Sequence, residues 1–376
     1  MADLTVPNAP GRFPAPFDEG RYVPILLTRQ GERLALRAIA DDVRANITPV
    51  FVVHPINKDP RTDRYVTDPE SHVDKLVGQL LQDWGTGPAF VDLRWVDCSS
   101  PSTTGLHLVE HFLRNASQAG LRLAPVISPN QPLDYRRAAI DTANGLGAPV
   151  CLRIAPEEWS DIGTPVGDGR LLGLLDETGQ VAENVHVVID FQDQIPRTIA
   201  VALAAIRPVL RGLPEANKWA SLTIAGTGMP VGTADVGANN SAELPRLEWL
   251  LWTALTEADY RRPSFGDYAV QHPNPLSDFN PLYMDSSAQL RYTILREWFI
   301  ARGRGVRRVG NVQIRDLARQ VVNHSQYSGS GYSWGDKWLD DCANNLVSAG
   351  NQGVWRKVTT NHHLTFVARQ VATRVG

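Results

Sequence analysis

Eight short β-type runs alternate with helical stretches along this chain, and that alternation constrains the fold more than any other feature. The runs begin at about Tyr22, Ile47, Ala89, Arg122, Ala148, Val185, Ala220 and Phe265. Each is rich in Val, Ile and Leu and is closed by Pro, Gly, Asn or Asp. Amphipathic stretches such as GERLALRAIADDV and HVDKLVGQLLQDW fall between them, and Gly120 stands where a helix from GLHLVEHF should stop. Eight βα units in about 250 residues are the count and length of a (β/α)8 barrel. The spacing therefore predicts an α/β, TIM-barrel-like fold over 21–275. A loose proline-rich arm over 1–20 precedes it, and an α+β segment over 276–376 caps it. An open doubly wound sheet is the alternative, and it would separate the first strand from the last.

Beyond the eighth run the rhythm changes. AQLRYTI and EWFIARG read as a hairpin, NVQIRDLARQVVNH and KWLDDCANNLVSAG as helices, and LTFVARQVA as a strand. A two-stranded hairpin is marginal alone, so this segment should fold only when docked on the barrel, over its C-terminal mouth. Six of the ten tryptophans lie from Trp249 onward. A protein partner docking on this third fits the preference of interfaces for Trp and Arg.

The chain excludes several classes. There is no GxxxxGK[ST], no GxSxG and no kinase signature set. Three cysteines, Cys98, Cys151 and Cys342, are too few and too dispersed for a disulfide framework or a structural zinc site, so reducing cytosol is the expected compartment. No apolar run approaches a membrane span, and the N-terminal stretch lacks the basic and apolar regions of a secretory signal. A net charge of -3 gives no global attraction to a polyanion, although a local patch can still bind one. No motif names a cofactor, and neither HExxH nor a two-histidine-carboxylate spacing points to a metal.

In a barrel of this type chemistry lies at the C-terminal ends of the strands. Those positions hold His54, Asp97, Ser128, Arg153, Asp190, Gln192 and Asp193. Arg153 and Asp190 interrupt apolar strands, CLRIA and VVIDF. They form either an anion-binding arginine beside a catalytic acid or a structural ion pair. Gly226 and Gly228, with Gly232, make a turn after the seventh strand that could cradle phosphate or simply be tight. Arg302, Arg304, Arg307 and Arg308 form the one dense basic cluster, a phosphate contact or a solvated hairpin end. Ser333, Trp334, Gly335 and Asp336 begin a helix, as an N-cap or as an anion site. In a strand, His362 and His363 would point to opposite faces, so one of them is the candidate acid or base. Asp267 falls near the start of its strand and so toward the opposite rim. Arg246 and Glu248, two apart, cannot face each other on a helix. Arg291 and Arg302 are the partners expected for Glu248 and Asp267.

YVPILLTRQGERLAL, ITPVFVV, LRIAP, VVIDF, PRLEWLLW, FGDYAVQHP, LRYTI, EWFIARG, YSWGD and NHHLTFV occur in an order that resembles the beta family proteins (the beta protein domain) of bacteria and their phages. The resemblance covers nearly all of 22–372. It implies a TIM-barrel-like protein without an activity to carry over, and a role in phage–host conflict. Two functions stay open. One is a recognition protein binding a protein or other ligand. The other is a hydrolase or lyase on a phosphate-bearing substrate, a nucleotide or nucleic acid. For the second, Arg153, Asp190 and the glycine turn would hold substrate and one of the paired histidines would move a proton.

Overall fold

The computed structural model describes residues 16–59, 61–159, 170–233, 236–255, 260–274 and 285–375. Its strands in chain order are β1 (Tyr22–Leu27), β2 (Val50–Val52), β3 (Pro88–Asp92), β4 (Arg122–Ile127), β5 (Val150–Ile154), β6 (Val185–Asp190), β7 (Ser221–Ala225), β8 (Asn240–Pro245), β9 (Ser264–Asp267), β10 (Ser287–Thr293) and β11 (Glu297–Gly305). β1 to β7 and β9 close into a parallel barrel. Tyr22 pairs with Phe265 across the seam, so the first and last barrel strands are neighbours and the open-sheet alternative is excluded.

Strand periodicity sorts the side chains into two cores. Val23, Ile25, Val50, Val52, Phe90 and Val126 point inward and fill the barrel. Tyr22, Leu26, Phe51, Val91, Val187 and Phe265 point outward to the helices. Phe17, just before β1, closes the base of the barrel, stacked 5.4 Å from His186; residues 1–15 of the expected arm lie outside the described residues. Local chemistry sets the helix ends. Asp68 accepts a hydrogen bond from the Ser71 amide at 2.8 Å with Pro69 following, an ordinary N-cap. The helix Leu108–Gln118 stops at Gly120, which takes a φ of 89° while Leu121 donates back to the Ala116 carbonyl.

Two elements differ from the sequence-based expectation. Residues 240–245 form β8, an edge strand pairing with β11, which the eight predicted runs do not include. NSAELP is polar, as suits an edge, and Pro245 sits at its end. The tail forms one helix, Gln352–Val375, rather than a strand. The β-branched residues of LTFV suggest a strand, but Leu364, Val367, Ala368 and Val371 recur at helical spacing and all enter the outer core. This helix packs against Gln30–Arg37 and against β1, beside the last barrel strand, which no helix directly follows among the described residues. It takes the place of the eighth outer helix.

The sheet β10–β11–β8 is sandwiched. Trp298 and Ile300 face the barrel rim, against Met229, Val236 and Val270. Leu290, Tyr292, Phe299 and Ala301 face helices Ile314–Val322 and Trp334–Ala343 and the first half of the last helix. No helix among the described residues is long and apolar enough to cross a membrane. Because β8 comes from within the barrel sequence and the last helix covers the β1–β9 seam, neither part is complete alone. Residues 276–376 expressed separately should give a fragment without a cooperative melt by circular dichroism and without protected amides in hydrogen exchange.

Candidate active site

Alternation along the strands brings four polar side chains to one level inside the barrel. These are Asp92 at the end of β3, Arg153 on β5, Asp190 at the end of β6 and Tyr268 just past β9. The Arg153 guanidinium donates to Asp190 Oδ2 from Nε at 2.9 Å and from Nη2 at 2.6 Å, and to Asp92 Oδ2 from Nη1 at 3.0 Å. Nη2 also donates to the Tyr268 hydroxyl, which donates on to Asp190 Oδ2, each at 2.5 Å. Arg94 Nε adds a 2.7 Å bond to Asp92. Burial alone would loosen the Arg153 proton, but Tyr268, Asp190 and Asp92 hold the guanidinium charged. Both Asp190 oxygens are engaged, since Oδ1 accepts from the Gln192 amide at 2.8 Å. Charges answer one another across this cluster, which forms a closely bonded floor.

Above the floor, at the C-terminal mouth, a cleft of about 850 Å³ is lined by Ile25, Leu27, Val52, Trp95, Arg153 and Tyr268, with polar groups around its rim. Asp97, Ser128, Gln192 and Asp193 all line it, as their strand-end positions suggested. Asp134 and Glu158 make the rim more acidic, and His272 bonds Asp193 at 3.1 Å. Cys98 is present too, but burial and the nearby Asp97 and Asp134 push its thiol up to about 12, so it is inert as a nucleophile.

One lining residue stands apart. Glu32, in the first turn of the helix after β1, is 1% exposed, and neither carboxylate oxygen has a hydrogen bond of normal geometry. Burial raises its carboxyl to about 7, with Arg356, Arg29 and the Leu27 backbone pulling the other way. A carboxyl tuned to neutral pH in a cleft is the signature of an acid–base group. Sequence reasoning passed over it as part of an amphipathic stretch. Glu32 nonetheless shares the spacing of the buried Ala35, Leu36 and Ile39, so a carboxyl on the apolar face was the available signal. Asp92, Arg94 and Tyr268 were missed as well, because nothing in one strand shows which neighbour its end will meet.

The other candidates are placed elsewhere. His363 and Asp267 meet on the outer face of the barrel wall. Asp267 ends β9 rather than starting it, and points outward beside Tyr22 while Tyr268 points in. Its Oδ2 accepts from His363 Nε2 at 2.9 Å and its Oδ1 from the Tyr22 hydroxyl at 2.6 Å. His363 Nδ1 meets the Thr293 hydroxyl at 2.8 Å, and its ring stacks on Trp298. His362 faces Asp336 Oδ2 at 2.9 Å and the Thr293 carbonyl at 2.8 Å. A helix turns both histidines into the protein, each to its own carboxylate. The wall of the barrel separates them from Asp190, so these three do not form one site. His54 bonds Thr28 and lies edge-on to His72; burial first, then His72 and nearby arginines, lower it to about 4.

Several features proposed for an external anion are occupied by protein groups. The Gly228 amide donates to Glu248 Oε2 at 2.7 Å. A Cβ at Gly226 would sit 2.7 Å from Ile195, so this glycine serves close packing. Gly232 has open space around it. Ser333 caps the helix Trp334–Ala343 and bonds Asp336, and the Gly335 amide donates to Asn361. Arg302 donates to the Thr233 and Val236 carbonyls, and Arg291 to the Val270 carbonyl, so neither reaches Glu248 or Asp267. Arg246 precedes its helix in a non-helical conformation. That is why its Nε can approach Glu248 Oε1 to 3.6 Å despite a separation of two residues. In the basic cluster, Arg307 and Arg308 bond Asp285 at an exposed turn. Trp249, Trp252, Trp298 and Trp355 are buried, Trp338 packs on the second core and Trp334 is 38% exposed. On the outer helices Glu70, Asp74 and His111 bring ligand atoms within 4.8 Å of one another, already bonded among themselves and to Thr103 and Asn115.

Asp190→Ala should leave Arg153 without its main partner and cost about 3–5 kcal/mol in urea unfolding. The histidines set an acid limit. His186, bonded to Ser221, is lowered to about 3 by burial, and His363 is lowered by burial too. Both are neutral in the folded chain and take up a proton below about pH 6.5 once unfolded. Stability is therefore full above that pH and falls as pH drops toward the folded values. His186 alone should remove about 2.5 kcal/mol between pH 7 and 4.5, and His186→Gln should flatten that part of the urea-midpoint profile.

Among the solved structures similar to this chain are three variants of the tryptophan synthase α-subunit from the hyperthermophile Pyrococcus furiosus. They are 12%, 13% and 15% identical, cover 67% of this chain and 87–89% of their own, and have TM-scores of 0.35 and 0.37. No curated protein matches the chain. The Beta protein family profile spans residues 22–369, nearly the whole barrel and its C-terminal cap, and the chain belongs to that family.

Proposed function

We propose that this protein is an enzyme, a hydrolase or lyase that works by acid–base chemistry on a small polar substrate in the cleft at the barrel mouth. The observation that carries the reading is Glu32, a buried carboxyl that lines the cleft, has no hydrogen bond of normal geometry and is raised to about 7 by burial. Such a group can accept or give a proton at neutral pH. The floor of Arg153, Asp190, Asp92 and Tyr268 would orient the substrate. The alternative, a recognition protein acting in phage–host conflict, draws on the family resemblance. Its surface would be built around Trp334, the tryptophan of the C-terminal third that faces solvent.

An unpaired buried carboxyl should also weaken the fold. The folded pKa of Glu32 lies above its unfolded value near 4.5. Its contribution is therefore harmless below that pH and is lost as pH rises through about 7. Glu32→Gln should leave the unfolding free energy unchanged at pH 4.5 and raise it at pH 8 by up to about 3 kcal/mol. In the functional arm, the purified protein is incubated with fractionated cell metabolites and followed by mass spectrometry. At least one compound should be consumed by the wild type and spared by Glu32→Gln. Equal behaviour of the two across all fractions would remove the enzyme reading.

A further inference from the structure

A buried N–H without an acceptor is costly, and more so when the group that carries it is charged. Two side chains lining the cleft hold such donors, on neighbouring loops. Arg94 follows β3, where its amide and its Nε bond the two oxygens of Asp92 at 2.9 and 2.7 Å. Those bonds fix the plane of the guanidinium and leave the buried Nη2 without an acceptor. Gln131 lies in the loop after β4. Its Oε1 accepts from the Ser128 amide at 2.8 Å, which sets the sense of the side-chain amide and leaves the buried Nε2 without an acceptor. β3 and β4 pair in the barrel, and the Leu93 amide, beside Arg94, meets the Tyr135 hydroxyl at 3.4 Å, so the two loops close on each other. Neither side chain is wholly enclosed: Arg94 keeps 17% of its surface open and Gln131 is half-buried. An acceptor in the cleft can therefore engage either donor after a small side-chain rotation.

We propose that Arg94 and Gln131 form a subsite for a single carboxylate of the substrate, whose apolar body lies along Leu27, Val52 and Trp95 toward Glu32. A guanidinium fork matches the two oxygens of a carboxylate, and the Gln131 amide supplies a further donor. The neighbours set the charge. Asp92 and Asp190 already answer Arg94 and Arg153, and Asp97 and Asp134 line the cleft a few residues beyond Arg94 and Gln131. A dianion such as a phosphate would be repelled by that acidity, whereas a carboxylate gains charge-assisted bonds for one unit of charge. Leu27 and Val52 belong to the inner core, Trp95 packs against it, and all three line the cleft. Since β2 lies between β1 and β3, this wall leads from the subsite to the helix after β1 that carries Glu32. The substrate class is a small monocarboxylate with an apolar body and its reacting end at Glu32. Calling the ligand a substrate rests on the enzyme reading; the subsite does not.

The test is titration of the full-length protein with sodium benzoate at pH 7 and fixed ionic strength, followed by ligand-observed NMR. Benzoate is the probe because it is ionised there and benzamide is its uncharged isostere. The wild type should bind benzoate at one saturable site, and benzamide and phenyl phosphate several-fold more weakly. Arg94→Lys keeps a charge beside Asp92 but loses the fork. Gln131→Glu keeps the acceptor for Ser128 but puts a charge where the donor was. Each should weaken benzoate binding about tenfold, whereas Arg308→Met, in the exposed basic turn, should leave it unchanged. Benzamide, which offers its own N–H groups to the new carboxylate, should lose nothing in Gln131→Glu. If Arg94→Lys fails to fold, Gln131→Glu with its benzamide control decides alone. No saturable benzoate binding, equal or tighter binding of benzamide or phenyl phosphate, or benzoate binding indifferent to either folded variant would overturn the proposal. Benzoate binding as described, with turnover indifferent to Glu32, would keep the subsite and discard the enzyme. Turnover that depends on Glu32 without benzoate binding would do the reverse.

Discussion

The joint between Tyr22, Asp267 and His363 is the interaction on which the rest of the structure depends. A carboxylate taken out of water must be answered by donors. Asp267 is answered by the Tyr22 hydroxyl, the His363 ring and the Ala269 amide, with burial opposing and these groups prevailing to hold it below its ordinary range. Tyr22 belongs to the first barrel strand, Asp267 to the last and His363 to the final helix. One buried carboxylate thus ties the seam of the barrel to the end of the chain. Thr293 extends the joint, its hydroxyl meeting His363 and its carbonyl meeting His362, and so brings in the three-stranded sheet. The sheet then covers the rim with Trp298 and Ile300 and carries Arg291 to Val270.

The barrel wall separates two polar systems. Asp267 and Tyr268 are adjacent in sequence yet serve opposite faces, because side chains alternate along a strand. The outer system holds helix, sheet and seam together. The inner one, Asp92, Arg94, Arg153, Asp190 and Tyr268, balances two carboxylates against two guanidinium groups and forms a stiff floor. Every carboxylate in the two systems is answered by donors of the chain itself. Glu32 is not, since neither of its oxygens has a hydrogen bond of normal geometry, and burial raises it to about 7. That contrast separates an acid–base group from the structural ion pairs in the same barrel.

The barrel was legible because strand composition and helical spacing repeat locally, eight times over. The hairpin was legible for the same reason. β8 was not: an edge strand pairs on one side only, and NSAELP carries little apolar signal. The final helix was misread because β-branched residues outweighed the spacing of Leu364, Val367, Ala368 and Val371. Asp190 and Arg153 could be singled out as charges in apolar strands, and their pairing was one of the two readings the sequence left open. Their second carboxylate, Asp92, comes from a strand distant in sequence. His362 and His363 looked catalytic because the sequence shows a histidine and hides the carboxylate waiting for it. Glu32 was within reach, since a lone carboxyl on the buried face of an amphipathic helix is costly without a reason.

The anion-binding devices of the chain show how a motif and its use come apart. A glycine turn presents a free amide, and here Glu248 takes it, itself raised to about 7 by burial despite Arg246. A capped helix start presents another, and Asn361 takes that of Gly335. Each device does what its geometry allows, but the acceptor comes from the chain itself, fixing a loop or a helix. Only tertiary structure shows which devices are already filled.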